Sequence, residues 1–562
     1  MYVAEAIADA LATEADGLIF GLMGDANMPV WGALVKAGRT RIVSARHDGA
    51  AVLMADGYAK ASGKLAVATV TCGPGLANCA NALITAARAQ TPMVVFTGET
   101  APHGKGALQY LDQRQFARAC DAHFAPLVRL DSLAQDIAEA FYVARTRRVP
   151  VILSLPAEHW EAELQWPWEY EPSSDFLAPQ PHAPHDALVQ QLASRLSAAS
   201  RPVIVAGRGA VDTHARADIE RLGDQVGALL ATSLVAKGFF DGHAYDIGIA
   251  GSFSSALTER LMAEADFVLG IGASMNFFTT EGGMLFPSAQ LARIDTKPFP
   301  SDIGVTPGLY VHGDAAHTTR ELIRVLENKS VANEGYRSEA TRAALTAPAV
   351  QQPRATDDLD PRTLMHELSR ALPSNAQVVI GCGHFWAWPV CYLALPPGGR
   401  LFHTAAFGCI GLGLAQGIGA ALASPERMTV VVEGDGGLLQ GIQELHAAVD
   451  QKLPLVVLVM NDSGYGADVL KMRWKNRDPQ GATWNSPDFV AVARGFGADG
   501  VRIEREEDLT AAFAQAMKHK GPFLIDARVS RSVVSDAYGK IHLGRQSQAP
   551  LLRPVPGSDW DK

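Results

Sequence analysis

Several things are missing from this 562-residue chain, and each absence narrows what it can be. No apolar run approaches the roughly 20 residues that a bilayer-spanning helix needs, so no membrane partner is expected. No block of like charge occurs; 49 basic and 59 acidic residues are interspersed and give a net charge of −10. The basic footprint of a nucleic-acid binder is therefore lacking. The six cysteines, Cys72, Cys79, Cys120, Cys382, Cys391 and Cys409, include no Cys-x-x-Cys pair, and a chain of this size needs no disulfide staples. A reduced, cytoplasmic setting is expected. The first residues, MYVAEAIADALATEADG, are acidic and amphipathic and lack the basic-then-apolar order of a signal peptide.

What is present is an ordinary globular composition, 48% hydrophobic and 19% charged. At roughly 150 residues per domain, the length predicts three or four domains. Strand-like apolar runs alternate with helical patterns, which predicts an α/β fold of doubly wound parallel sheets. The first block holds GLIFGLMG, KLAVATVT, TPMVVFTG and RVPVILSLP. The second holds RPVIVAGRGA, GALLATS, ADFVLGIGAS and ARIDT. The third holds AQVVIGCG, RMTVVVEGDGG, LPLVVLVMNDSG and GPFLIDARV. Proline-bearing, aperiodic stretches at 165–186 and 347–361 read as linkers, so the expected domains are 1–164, 186–346 and 361–545.

Ligands in such sheets sit beyond the carboxyl ends of strands. After one third-block strand comes Gly434-Asp435-Gly436-Gly437; after the next comes Asn461-Asp462-Ser463-Gly464-Tyr465-Gly466. Asp435 and Asn461 are separated by one strand-helix-strand unit, which places both at the same sheet edge. A carboxylate and an amide oxygen are hard ligands that suit Mg²⁺, with Ca²⁺ as a substitute. Gly436 and Gly437 open a helix-like segment from Leu438 onward, where free amides attract a phosphate. The expected role of the glycines is to let backbone approach a diphosphate.

These motifs resemble those of the thiamine diphosphate enzymes of the acetolactate synthase, pyruvate oxidase and benzoylformate decarboxylase type. The similarity extends to SARHDGAAVLMADGYAKASGK, TVTCGPGLANCANAL, TPMVVFTGET, GALQYLDQ, CGHFWAW and FGCIGLGLAQGIGAAL, in the family's order. It implies an N-terminal pyrimidine-binding domain, a central domain and a C-terminal diphosphate-binding domain. It implies Mg²⁺ on Asp435, Asn461 and the main-chain oxygen of Ser463. It implies cofactor contacts from Pro74, Asn78, Gly383, His384, Phe385, Gly434, Gly436, Gly437, Gly464 and Tyr465. Ile410 should wedge the cofactor into its bent form, and the Gly408 carbonyl should accept from its 4′-amino group. Gln109 resembles the residue that faces the reacting carbon. The activity implied is cleavage or formation of a C–C bond beside the carbonyl of a 2-oxo acid or ketone.

The departures are specific. Asp48 stands where the family has its activating glutamate, one methylene shorter, about 1.5 Å. An aspartate there also has a commonplace use, capping the helix that starts near Gly49. Asn461-Asp462 replaces the usual Asn-Asn, and the paired histidine of the family's decarboxylases is missing. FAD-binding relatives carry an arginine-aspartate pattern after the second block's third strand. This chain has Ser274-Met275-Asn276-Phe277-Phe278, which argues against FAD. His384 has a strand-end structural use besides diphosphate contact, and His47 reads as structural. Substrate contacts are expected from 22–27, from the loop bearing His103 and Lys105, and from Lys471, Arg473 or Trp474. The family shares each site between subunits, which implies a homodimer at least and a homotetramer by analogy. A cofactor-binding but silent homologue is the alternative that Asp48 keeps open. A nicotinamide dehydrogenase is disfavoured by the absence of G-x-G-x-x-G opening a helix.

Overall fold

The computed structural model describes residues 1–100, 107–177, 182–299, 305–329, 333–347, 355 and 358–543. His103 and Lys105 lie outside these described residues. Three six-stranded sheets, all parallel, follow one another along the chain. The first contains β1 (Leu18–Gly21), β2 (Arg41–Ser44), β3 (Ala66–Thr69), β4 (Met93–Glu99), β5 (His123–Pro126) and β6 (Pro150–Pro156) in the order β2-β1-β3-β4-β6-β5. The second contains β7 (Pro202–Ala206), β8 (Leu229–Thr232), β9 (Asp246–Ile249), β10 (Phe267–Ile271), β11 (Gln290–Asp295) and β12 (Leu309–His312) in the order β12-β11-β10-β7-β8-β9. The third contains β13 (Gln377–Ile380), β14 (Arg400–His403), β15 (Thr429–Gly434), β16 (Leu455–Asn461), β17 (Asp499–Ile503) and β18 (Phe523–Arg528) in the order β14-β13-β15-β16-β18-β17.

The twelve apolar runs read from the sequence are the twelve interior strands. The six strands that reading passed over, β2, β5, β9, β12, β14 and β17, are the six sheet edges. The cause is burial. Interior strands such as β6 and β16 are buried at every residue and read as continuous apolar runs, whereas β2 and β14 are mostly exposed or half-buried. Among the described residues no helix is long and apolar enough to cross a membrane, and none of the six cysteines is disulfide-bonded.

The first and third sheets are joined by a close helix pair, Asp48–Ser62 against Gly413–Ala423. One apolar core runs through both, from Phe20 and Val95 to Val431 and Leu524. Glycine makes the approach possible. A Cβ on Gly57 would sit 2.0 Å from the Gln416 carbonyl oxygen, and one on Gly419 would sit 1.9 Å from that of Met54. These contacts also fix direction, since residue 57 faces 416 while 54 faces 419, so the helices run antiparallel.

Gly419→Ala should destabilise the protein by ~1–3 kcal/mol, because backbone on both sides must give way. Gly32→Ala, where a Cβ meets nothing within 4 Å, should be neutral or gain up to about 1 kcal/mol. Urea unfolding of the two variants checks the contrast.

Candidate active site

The diphosphate side is set by sheet register. β15 pairs with β16 so that Gly434 lies beside Met460, which puts Asp435 and Asn461 next to each other beyond the strand ends. Both side chains are buried. Asp435 Oδ2 accepts from the Gly464 amide at 3.1 Å and from Ser486 Oγ at 3.3 Å. Asn461 Oδ1 accepts from Ser486 Oγ at 2.9 Å and from the Ser463 amide at 3.0 Å. The Asn461 amide nitrogen donates to Asp526 Oδ1 on β18 at 2.6 Å, which turns its oxygen toward Asp435. Ser463 itself is held at φ 56°, in the left-handed region.

Each glycine of this turn is pressed by a neighbouring side chain. A Cβ on Gly434 would meet the Phe385 ring at 2.9 Å, on Gly436 the Tyr465 ring at 2.8 Å, and on Gly437 Glu433 Oε1 at 2.5 Å. They make room first for the protein's own side chains. Tyr465 and Trp484 stand edge-to-face at 4.7 Å over Gly436. Glu433, buried beneath the turn, fills space left by Gly381, Gly413 and Gly437. Its Oε2 accepts from the Gly413 amide at 2.9 Å, and burial pushes its carboxyl up to about 8. The helix expected from Leu438 is broken: Asp435–Leu438 forms one turn, and a new helix starts at Glu444. Ile410 and Gly408 (φ 81°) precede Gly411, whose Cβ position lies 3.0 Å from the Gly437 carbonyl oxygen, so they belong to this half.

The electrostatics fit a hard cation. Burial and the neighbouring Asp462 push Asp435 up to about 7, and burial pushes Asp462 up to about 6. Two adjacent buried carboxylates are costly without an opposing charge, and Arg531 supplies one only on the Asp462 side. Oxygen donors of this kind match Mg²⁺ or Ca²⁺. His384 is no such charge; burial pushes it down to about 4, and its Nε2 lies 3.6 Å from Asp462. Its ring packs edge-on to Tyr538 at 6.0 Å.

The pyrimidine side is built on the first sheet. Asp48 opens its helix, is buried, and accepts from Asn78 Nδ2 at 3.1 Å. It is not the cap. His47 Nδ1 takes that place by accepting from the Gly49 amide at 3.1 Å. Pro74 starts the short helix whose Gly75 lies under Asp48. Cys72 Sγ donates to Gln109 Oε1 at 3.4 Å, which sets Gln109 over the same turn. Both carboxylate oxygens of Glu444, a residue the sequence did not single out, accept from the Arg46 amide at 3.1 Å. Ser486 is also new; it lies in irregular chain with no motif around it.

Within one chain Asp48 and the turn bearing Ile410 lie apart. In the antiparallel helix pair Asp48 lies at one end and Gly413, which follows Ile410, at the other. A 15-residue helix spans ~20 Å. Phe407 repeats the point. It sits under Arg88 at the far end of the Ala80–Arg88 helix from Asn78.

Such an arrangement, buried oxygen donors beside backbone amides on one parallel sheet and a buried carboxyl on another, belongs to the class of α/β proteins that bind ligands at strand ends. Comparison with known proteins specifies it. Residues 1–118 match the N-terminal TPP-binding domain of thiamine pyrophosphate enzymes, 189–322 their central domain and 379–527 their C-terminal TPP-binding domain. The chain belongs to the thiamine pyrophosphate enzyme family and is a thiamine diphosphate-dependent enzyme. It is similar to the acetolactate synthase large subunit of Haemophilus influenzae, 24% identical over 94% of each chain. It is also similar to the isozyme 3 large subunit of Escherichia coli, 26% identical over 92% of each. With the large subunit of Parasynechococcus marenigrum it is 29% identical over 94% of this chain and 87% of the relative.

A carboxyl raised by folding stabilises the protein below its unfolded value and loses that contribution as pH climbs through the folded one. Asp462→Asn should therefore raise the stability of chelator-treated protein at pH 8, by on the order of 1–2 kcal/mol, and change little at pH 4. Thermal melts at the two pH values measure this.

Proposed function

We propose that this chain is a thiamine diphosphate- and Mg²⁺-dependent enzyme acting on a small 2-oxo acid or related ketone, releasing or joining carbon groups at the carbonyl in the manner of an acetolactate synthase. The observation that carries it is the buried Asp435–Asn461 pair on adjacent strand ends, inside the matched C-terminal domain. When bound, thiamine diphosphate supplies the carbanion chemistry; the protein supplies position and electrostatics.

Asp435 and Asn461 hold the cation, with the Ser463 carbonyl as third ligand. Gly383, His384, Phe385, Gly464 and Tyr465 frame the diphosphate. Ile410 and the Gly408 carbonyl would hold the thiazolium and aminopyrimidine portions of the cofactor, and Asp48, its carboxyl held by Asn78, would share a proton with the pyrimidine. Gln109 faces the substrate. The domain limits 1–164, 186–346 and 361–545 belong to this reading.

A complete site needs Asp48 from one chain and Asp435 from another, so the working unit is a homodimer, and a tetramer is the natural assembly of two. The antiparallel helix pair supports this. So do the exposed Leu108 and Tyr110, apolar side chains on either side of Gln109. FAD is left out. After β7, Arg208 reaches the Ala89 carbonyl and Gln90 of the N-terminal domain, and the Gly209 amide donates to the Gly272 carbonyl at 3.0 Å. A cytoplasmic location completes the proposal.

Carbon dioxide release from pyruvate, benzoylformate and branched 2-oxo acids, with and without an aldehyde acceptor, tests the activity. Asp48→Ala should lower turnover by roughly 10²–10⁴-fold while cofactor affinity changes little; near-normal turnover would remove Asp48 from the chemistry. Mixing inactive Asp48→Ala and Asp435→Ala chains after refolding together should restore about a quarter of wild-type activity, because each mixed dimer regains one intact site. No recovery would place both halves of a site in one chain.

A further inference from the structure

Asp48, on the first sheet, is held from the far end of the chain. Glu444 opens the helix Glu444–Asp450 of the C-terminal domain and is buried. Both of its carboxylate oxygens accept from the Arg46 amide at 3.1 Å. Burial pushes its carboxyl up to about 7, and the Arg46 and His47 amides work against that rise. The Arg46 side chain grips the same helix. Its Nε donates to His446 Nδ1 at 2.8 Å, and its Nη2 pairs with Asp450. The two peptides that lead into Asp48 are therefore pinned by one short helix of another domain.

An aspartate has only two side-chain torsions, so the place of its backbone decides where its carboxyl lands. The Asp48 carboxyl is itself steered lightly. Asn78 Nδ2 donates to Oδ2 at 3.1 Å, and Oδ1 lies over Gly75, 2.9 Å from where a Cβ would be. His47 caps the helix, so the carboxyl is not spent there. Nor is Glu444 needed to dock the two domains, because the helix pair Asp48–Ser62 and Gly413–Ala423 already joins them. A buried acid is costly, and this one is placed on the approach to Asp48. We propose that Glu444 is the positioning residue for Asp48: by fixing the Arg46 and His47 peptides, it sets how far the shorter acid reaches toward the pyrimidine. This rests on the proton-sharing role given to Asp48 under the proposed function.

The test uses the full chain with saturating thiamine diphosphate and Mg²⁺ and no substrate. Exchange of the cofactor's C2 proton for deuterium is followed by NMR after acid quench. Wild type is compared with Glu444→Ala, Glu444→Gln, Asp48→Ala and the Asp48→Ala/Glu444→Ala double variant. Glu444→Ala should exchange roughly tenfold more slowly, a part of the roughly 10²–10⁴-fold that a positioned proton-transfer group contributes. Glu444→Gln, which keeps one acceptor, should lie between it and wild type. The double variant should be no slower than Asp48→Ala, because the two residues act as one unit. In cofactor-free Glu444→Ala, amide hydrogen exchange by mass spectrometry should rise in the peptide around Arg46 to Asp48. Wild-type C2 exchange in Glu444→Ala, unaltered amide exchange in that peptide, or a double variant whose losses multiply overturns the proposal and leaves Glu444 a brace between domains. If Glu444→Ala does not fold, Glu444→Gln decides alone: slower C2 exchange supports positioning, and the wild-type rate overturns it. Asp48→Ala exchanging at the wild-type rate overturns the role of Asp48 itself, an outcome distinct from a slowed Asp48→Ala beside an unaffected Glu444→Ala.

Discussion

The parallel register between β15 and β16 is the constraint on which the site depends. It carries Asp435 and Asn461 off neighbouring strand ends at the same height. A slip of one residue would turn both side chains to the wrong face. β18 extends the arrangement one strand further, because Asp526 fixes which end of the Asn461 amide faces Asp435. The remaining features answer the burial this creates. Two carboxylates close together, Asp435 and Asp462, are each pushed up by burial. The Ser486 hydroxyl bridges Asp435 and Asn461, and the turn bearing Ser463 is tied down by arginines from the far end of β18.

Glu433 illustrates how much of the fold serves this edge. A fully buried acid is expensive, and burial raises its carboxyl well above the usual range. Three glycines from three segments leave it space, and it accepts from the amide that opens the Gly413–Ala423 helix. The turn carrying Ile410 is thereby joined to the turn carrying Asp435. The same acid explains why Gly437 has no side chain.

Interior strands, the Asp435–Asn461 spacing and the family's motifs were all legible, because burial and turn chemistry leave local marks. Edge strands were not, since half-exposed residues carry no continuous apolar signal. The glycines of the Asp435 turn were legible as special, but the rings of Phe385, Tyr465 and Trp484 that press on Gly434 and Gly436 were not, because they come from other segments. Asp48 could be matched to an acid of the family, yet only the structure gives the cap to His47. Ser486, Glu444 and Arg531 were invisible, each reaching its partner across more than 20 residues of chain with no pattern of its own.

The first and third sheets share one strand order, and their paired helices occupy the same place in it, each lying between the second and third strands of its sheet. Two like units facing each other through the same helix, antiparallel and glycine to backbone, reproduce within one polypeptide the self-complementary contact of a symmetric dimer. Two units of the same topology thus carry different turns after their third strands. One has a Gly-Pro-Gly turn, Gly73 to Gly75, lying under the buried Asp48, and the other has the buried Asp435 at the matching turn.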